Sequence, residues 1–102
     1  MTVQHVNAAK FEELLRGSKP VLLDFYADWC GPCRMLAPIM EEIAAEHPEL
    51  EVGKVNVDAE GELAARFGIS SIPFVALVKE GRVVASALGY RPKAALLSEL
   101  GL

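Results

Sequence analysis

Hydrophobic residues along the chain recur with two different periods, which predict strands alternating with helices. Around Phe11, apolar residues fall at helical spacing after Asn7, a residue type that caps helix starts. The run from Val21 to Ala27 is almost continuously apolar, which is typical of a strand buried on both faces of a sheet. A second helical pattern extends from about Cys33 to Glu46. The first half of the chain therefore predicts parallel strands covered by helices.

The second half continues this alternation and ends in a hairpin. In order, we expect a strand from Glu51 to Asp58, a short helix capped by Asp58 and closed by Gly68, strands over Phe74–Lys79 and Arg82–Leu88 joined tightly at Glu80-Gly81, and a helix beginning at Pro92. With a short edge strand near Val3 to Val6, the order is β-α-β-α-β-α-β-β-α. This order predicts an α/β fold in which the closing hairpin adds an antiparallel pair.

Composition and charge narrow the class of protein. The chain has 102 residues, of which 52% are hydrophobic and 24% charged, as expected for a single globular domain over residues 1–102. A net charge of −4 gives no basic surface for nucleic acid or for a membrane, and no apolar run approaches the ~20 residues of a membrane span. The amino-terminal residues lack the layout of a signal peptide, so we expect a cytoplasmic protein. The alternative is a mature exported form from which a signal peptide has been removed.

The only two cysteines, Cys30 and Cys33, are separated by two residues and follow the only tryptophan, Trp29. This spacing is used for redox chemistry or as half of a zinc site. Structural zinc needs four ligands, and neither His5 nor His47 stands at ligand spacing. We therefore expect a redox pair and no metal.

The two cysteines fall where a strand pattern gives way to a helix pattern, so they differ in position. The amino end of a helix favours a thiolate over a thiol, which makes Cys30, at the tip, the expected exposed nucleophile. Cys33, inside the first turn, is the expected shielded, resolving thiol. Gly31 permits the tight turn, and Pro32 suits a first helical position. Trp29 offers an apolar surface beside the pair.

Asp24 is a carboxylate in a stretch whose pattern indicates core. Burial raises the pKa of a carboxyl unless the group is paired. At the end of the strand leading to the cysteines, such an acid can exchange a proton with Cys33. The alternative is a buried acid without a catalytic role. Lys54, on a neighbouring strand, is the expected partner of Asp24, the alternative being a plain surface lysine.

Taken together, these motifs resemble the thioredoxin family over nearly the whole chain. The matching positions are Asp24 to Met35, Ala37-Pro38, Lys54 to Asp58, Ile69, Ile72-Pro73, Gly81 and Gly89. The resemblance implies a mixed sheet of four or five strands with four helices. It also implies a protein-disulfide reductase that works through its own Cys30–Cys33 disulfide without a cofactor. Its implied partners are a thioredoxin reductase and disulfide-containing client proteins, and the implied state is a monomer.

The resemblance also assigns residues around the cysteines. It implies a cis peptide bond before Pro73 and a loop whose backbone, around Ile72, pairs with substrate. The apolar rim is implied to consist of residues that flank the cysteines in space: Trp29, Gly31, Pro32, Ile72, Pro73 and Gly89. Asp24 corresponds to the family's buried proton-transfer acid, and Lys54 to its lysine neighbour. The uncharged Gly31-Pro32 pair favours a reductant, because relatives that oxidise substrates tend to carry histidine in place of Pro32.

Three residues depart from the family pattern. Tyr26 stands where tryptophan is frequent, Phe74 where threonine is common, and Tyr90 where a small residue is usual. Phe74 and Tyr90 are expected to reshape the docking rim. A second function fits the same surface: a binding module in a larger complex whose cysteines are dispensable.

Overall fold

The computed structural model describes residues 2–102 and contains five strands and four helices within them. The elements are β1 (Gln4–His5), α1 (Ala8–Leu15), β2 (Val21–Tyr26), α2 (Gly31–Glu46), β3 (Glu51–Asn56), α3 (Gly61–Arg66), β4 (Phe74–Lys79), β5 (Arg82–Leu88) and α4 (Lys93–Leu100). Their order is the one that the hydrophobic pattern predicts.

The strands form one mixed sheet in the order β1-β3-β2-β4-β5. The β1/β3 and β3/β2 pairs are parallel, whereas β2/β4 and β4/β5 are antiparallel. The predicted fold is thereby confirmed. Because β2 is the central strand, the residues that follow it leave from the middle of the sheet.

Each face of the sheet carries its own hydrophobic cluster, which explains the unbroken apolar run of β2. Leu22 packs on the side of Leu36 and Leu96, from α2 and α4. Its neighbour Leu23 packs on the side of Phe11, from α1. Successive strand residues point to opposite faces, so a central strand covered on both sides must be apolar at every position. Only Asp24 breaks this rule within β2.

Several element ends are set by local chemistry. Asn7 is the predicted N-cap of α1, and its Oδ1 accepts a hydrogen bond from the Lys10 amide at 2.8 Å. The predicted hairpin is confirmed: Glu80 and Gly81, with φ of 52° and 77°, are the only two residues between the paired Lys79 and Arg82. Such a left-handed pair matches the twist of the flanking strands.

Other predicted ends are wrong. The helix α2 begins at Gly31, two residues before Cys33, and Pro92 is the N-cap of α4 rather than its first residue. Asp58 does not cap α3, which starts at Gly61 without a side-chain cap bond. The Asp58 carboxylate accepts a hydrogen bond from Trp29 instead, so this acid serves the cysteine region rather than a helix end.

The edge strand β1 and its neighbour β3 approach each other closely at Gly53. A Cβ built on Gly53 would overlap Cγ2 of Val6 and lie 3.2 Å from the carbonyl oxygen of Gln4. The Val6 side chain therefore occupies the space that a side chain at position 53 would need.

No helix among residues 2–102 is both long and apolar enough to cross a membrane.

We predict that Gly53→Ala lowers the free energy of unfolding by about 1–3 kcal/mol, since overpacking forces neighbouring groups to shift. Denaturant unfolding measures this loss, and adding Val6→Ala should restore part of it. Gly61→Ala is the control, because a Cβ there meets nothing within 4 Å. Equal stability of Gly53→Ala and the parent chain would contradict the packing described.

Candidate functional site

Cys30 and Cys33 lie where the segment after β2 turns into α2. Cys30 is the N-cap of the helix, with extended backbone at φ −92° and ψ 110°. The Cys33 amide donates a hydrogen bond to Sγ of Cys30 at 3.3 Å. The two residues form a disulfide, with their Cα atoms 5.3 Å apart. The predicted placement of a linked pair at a helix start is confirmed.

The expected difference in exposure between the cysteines is not present in the disulfide form. Cys30 is 5% exposed and Cys33 3%, so the prediction of an exposed Cys30 is wrong for this form. Each sulfur is covered by its bonded partner and by a small cluster that includes Ala27 and Ile72. What distinguishes the two is position, since Cys30 precedes the helix and Cys33 lies in its first turn.

The electrostatic environment of Cys30 follows from the helix that begins beside it. The helix has 16 residues, and its first turn contains no acidic side chain that would offset the positive end of its dipole. The Cys33 amide, in that first turn, donates its hydrogen bond to Sγ of Cys30. A negative charge that develops on this sulfur is therefore stabilised by the backbone.

Trp29, directly before the pair, stands out from the surface. Its side chain is 70% exposed, and its indole Nε1 donates a hydrogen bond to Oδ2 of Asp58 at 2.8 Å. This bond holds a large apolar surface beside Cys30. Asp58 is a site residue that the sequence reasoning missed, because an aspartate after a strand also reads as a helix cap.

The loop before β4 lies against the cysteines. The Ile72–Pro73 peptide bond is cis, as the resemblance implied, and Pro73 is fully buried. The Gly89 amide donates to the Pro73 carbonyl at 2.7 Å, with Gly89 at a left-handed φ of 88°. Within residues 2–102, the backbone of Ile72 takes part in no hydrogen bond. The loop thus presents an available backbone edge next to the disulfide.

The two aromatic residues that were expected to reshape this rim differ in placement. Phe74 is half-buried and packs against Phe25, with ring centroids 6.3 Å apart. Tyr90 is 37% exposed and follows Gly89 directly. Tyr90 therefore adds apolar surface near the rim, whereas the Phe74 ring contributes to the core.

Asp24 is buried beneath the site. Asp24 is 4% exposed, and its Oδ1 has no hydrogen-bond partner among the described residues. Burial raises the pKa of the Asp24 carboxyl to about 7, against the smaller, opposing effect of the positive charge on Lys54. The predicted burial is confirmed, and a carboxyl with this raised pKa can gain or lose a proton near neutral pH.

Lys54 is next to Asp24 along the sheet but does not form an ion pair with it. The two residues are opposite each other in the β2/β3 register. The Lys54 ammonium lies 6.0 Å from the centre of the Tyr26 ring, and no salt bridge of the described residues includes it. Lys54 is therefore close enough for its charge to act on the Asp24 carboxyl, as expected for its partner, but the two side chains form no ion pair.

A cavity of about 340 Å³ connects these groups. Its lining residues come from β2, β3 and the start of α2: Asp24, Tyr26, Ala27, Asp28, Cys33, Arg34, Ala37 and Lys54. A water molecule occupies about 30 Å³ of liquid, so the cavity admits more than one. It brings the Asp24 carboxyl and the inner cysteine to the same space. No group of three or more metal-binding side chains was found among the described residues.

Comparisons with known proteins agree with this geometry. A family model described as Thioredoxin matches residues 2–101. A thioredoxin of Alicyclobacillus acidocaldarius is 50% identical over 93 residues, which cover 90% of this chain and 89% of that protein. A bifunctional thioredoxin reductase/thioredoxin of Mycobacterium leprae is 45% identical over 101 residues, which cover 98% of this chain and 22% of that protein.

Solved structures show the same fold. A Plasmodium falciparum thioredoxin superimposes with a TM-score of 0.89 at 32% identity, and 97% of each chain is covered. A Malassezia sympodialis thioredoxin gives a TM-score of 0.85 at 30% identity, covering 97% of this chain and 91% of that one.

The raised pKa of Asp24 makes stability depend on pH. The folded protein holds this proton up to a pH of about 7, whereas an unperturbed carboxyl loses it near 3.8. The stability that this proton contributes is complete below the lower value, falls as pH rises between the two, and is lost above about 7. The full difference is on the order of 4 kcal/mol.

We predict that Asp24→Asn is more stabilising at high pH than at low pH. Relative to the parent chain, its free energy of unfolding should gain about 2–3 kcal/mol more at about pH 9 than at about pH 5. Denaturant unfolding of the oxidised protein measures this, with the exposed Asp28→Asn as a control for net charge. A gain that is the same at both pH values would show that Asp24 does not titrate as described.

Proposed function

The chain belongs to the thioredoxin family, and from this we infer the roles of its site residues in dithiol–disulfide exchange. Members of this family are protein-disulfide oxidoreductases that act through their own cysteine pair and need no cofactor. This chain is such an oxidoreductase, with Cys30 and Cys33 as its redox-active pair. We propose that it acts as a reductant of protein disulfides. The observation that carries the exchange chemistry is the Cys30 sulfur at the amino end of α2, and the uncharged Gly31-Pro32 pair between the cysteines favours the reducing direction.

In the first step, the thiolate of Cys30 attacks one sulfur of a client disulfide. A bond forms between Sγ of Cys30 and that sulfur, and the other client sulfur leaves as a thiolate. The helix start supports this role, because the Cys33 amide directed at Sγ of Cys30 stabilises the attacking anion. Gly31 and Pro32 add no charge near the sulfurs.

In the second step, Cys33 attacks Sγ of Cys30 and releases the reduced client. The Cys30–client bond breaks as the Cys30–Cys33 disulfide forms, so the client gains two electrons and its second thiolate. Cys33 must first lose its proton, and Asp24 accepts it through the shared cavity. A carboxyl whose pKa is about 7 is suited to accept and return a proton at neutral pH.

Client polypeptides dock beside the disulfide. We propose that an extended client segment pairs with the available backbone of Ile72. Trp29 and Gly89 then form the surrounding surface, with Trp29 held in place through Asp58. Pro73, which the resemblance placed in this rim, is buried and instead fixes the loop through its carbonyl bond to the Gly89 amide.

The oxidised pair is recycled by a second enzyme. The thioredoxin family works with thioredoxin reductase and with disulfide substrates, and the Mycobacterium leprae relative joins both activities in one polypeptide. We propose that this chain is a single-domain monomer recycled by a separate thioredoxin reductase. We further propose that it works in the cytoplasm, where protein thiols are kept reduced.

We predict that Cys33→Ser traps client proteins as mixed disulfides through Cys30, because the second step is removed while the first remains. Incubating the immobilised variant with lysate, then eluting with a reductant, measures the trapped proteins. Cys30→Ser is the matched control and should trap almost none. A folded Cys33→Ser protein that captures nothing would contradict the mechanism.

The same variants separate this function from a redox-independent binding module. The double Cys30→Ser, Cys33→Ser protein should lose insulin reduction in an assay coupled to thioredoxin reductase while it remains folded. A double variant that still supports the biological activity of the chain would favour the binding module.

We predict that Asp24→Asn slows resolution of the mixed disulfide by up to about 10²-fold, the low end for proton transfer, because solvent also accepts the Cys33 proton. The step is measured by following release of a fluorescent client from Cys30 as a function of pH. Asp28→Asn changes a carboxyl that lines the same cavity but is exposed, and it should react at the parent rate. An unchanged rate and pH profile in Asp24→Asn would exclude the proton-transfer role.

A further inference from the structure

The Lys54 side chain has two neighbours on β2, the Asp24 carboxyl and the Tyr26 ring. Lys54 is opposite Asp24 in the β2/β3 register, so its side chain starts beside a buried carboxyl. One oxygen of that carboxyl has no hydrogen-bond partner within residues 2–102. The ammonium nevertheless lies near the ring of Tyr26, two residues further along β2. Residues two apart in a strand share a face, so Lys54 can reach either neighbour.

Tyr26 and Lys54 together separate two hollows in the surface. Both residues line the cavity that contains Asp24 and Cys33. Both also line a second hollow of about 250 Å³, on the side of His5, Asn56 and Glu60. The Tyr26 ring and the Lys54 side chain therefore form the wall between the Asp24 cavity and this outer hollow.

Other charged groups near Asp24 have contacts of their own. Arg34, from α2, donates from Nη1 to the Asp28 carbonyl at 2.7 Å, which fixes its guanidinium at the rim of the cavity. The Asp28 side chain is exposed, and Cys33 is bonded to Cys30. Two cationic side chains line the Asp24 cavity, Arg34 and Lys54. Arg34 is held by its bond to the Asp28 carbonyl, whereas the position of Lys54 depends on its contact with the Tyr26 ring.

We propose that Tyr26 is a positioning residue for Lys54. The face of its ring attracts the ammonium and holds it in the cavity wall, away from the Asp24 carboxylate. By this means Tyr26 keeps Asp24 able to hold its proton up to neutral pH. The part of this inference that concerns turnover rests on the proposed role of Asp24, whereas the position of Lys54 and the titration of Asp24 do not.

The proposal predicts a specific effect of removing the ring. In Tyr26→Leu the ammonium is free to approach Asp24, so the midpoint of the Asp24 titration should fall by about half a pH unit. Tyr26→Phe keeps the ring and should leave the midpoint unchanged. The resolution step should show the same shift in its pH profile, and this shift should be absent in the Lys54→Met background if Tyr26 acts through Lys54.

The experiment is a carbon-13 NMR titration of the Asp24 carboxyl in the oxidised protein, carried out as a double-mutant cycle with Lys54→Met. If Tyr26 acts through Lys54, Tyr26→Leu should have almost no effect in the Lys54→Met background. An equal fall in both backgrounds would mean that the ring only keeps water out, and would overturn the proposal. So would an unchanged midpoint in Tyr26→Leu.

A second variant and a second measurement complete the test. Tyr26→Met is a second ringless variant, to be used if Tyr26→Leu does not fold. Client trapping by Cys33→Ser is measured in the chain that keeps Tyr26, so it tests the proposed function separately. Trapping that succeeds while the titration cycle fails would overturn the positioning role alone, and failed trapping would instead overturn the proposed function.

Discussion

The chemistry of this protein depends on the contact between the amino end of α2 and the sulfur of Cys30. The Cys33 amide is directed at Sγ of Cys30, and Cys30 is the N-cap of a helix with no acid in its first turn. The contact is maintained because both flanking elements are fixed: β2 is the central strand, and α2 is anchored by buried residues such as Leu36 and Met40. A central strand that delivers the chain to a packed helix start leaves little freedom to the cysteines between them.

Beneath this contact, the fold tolerates a buried carboxyl. Asp24 lies in a strand that is otherwise apolar, and one of its oxygens has no hydrogen-bond partner in the part of the chain that the structure describes. Its ionised form destabilises the folded state above neutral pH. A leucine or asparagine there would serve stability better. Such a loss of stability is typical of sites where a titratable group is needed for function. In our proposal, Tyr26 sets the distance between the Lys54 ammonium and Asp24, and thereby how strongly the positive charge of Lys54 stabilises the Asp24 carboxylate.

Much of this arrangement could be predicted from the sequence, because it depends on local patterns. Interactions between residues close in sequence determine several of its features: the N-cap at Asn7, the turn at Glu80-Gly81 and the apolar run of β2. Likewise, the burial of Asp24 follows from its position within that run. The cis bond before Pro73 came from the family resemblance, since residue patterns alone do not distinguish it.

The features that the sequence did not predict depend on distant residues. The Trp29–Asp58 bond joins residues 29 positions apart, and its aspartate follows a strand where a helix cap is equally expected. The orientation of Lys54 towards Tyr26 depends on the β2/β3 register and on the cavity wall. The near-equal exposure of the two cysteines results from their disulfide and from Ile72, which comes from a separate loop.

The most direct measurement of the central claim is the rate of alkylation of each cysteine by iodoacetamide in the reduced protein at neutral pH. We expect Cys30 to react much faster in the folded chain than in the same chain unfolded by urea, because the helix start stabilises its thiolate. Cys33 should react more slowly when folded. Equal rates for Cys30 in the folded and unfolded chains, or faster reaction of Cys33 than of Cys30, would contradict it.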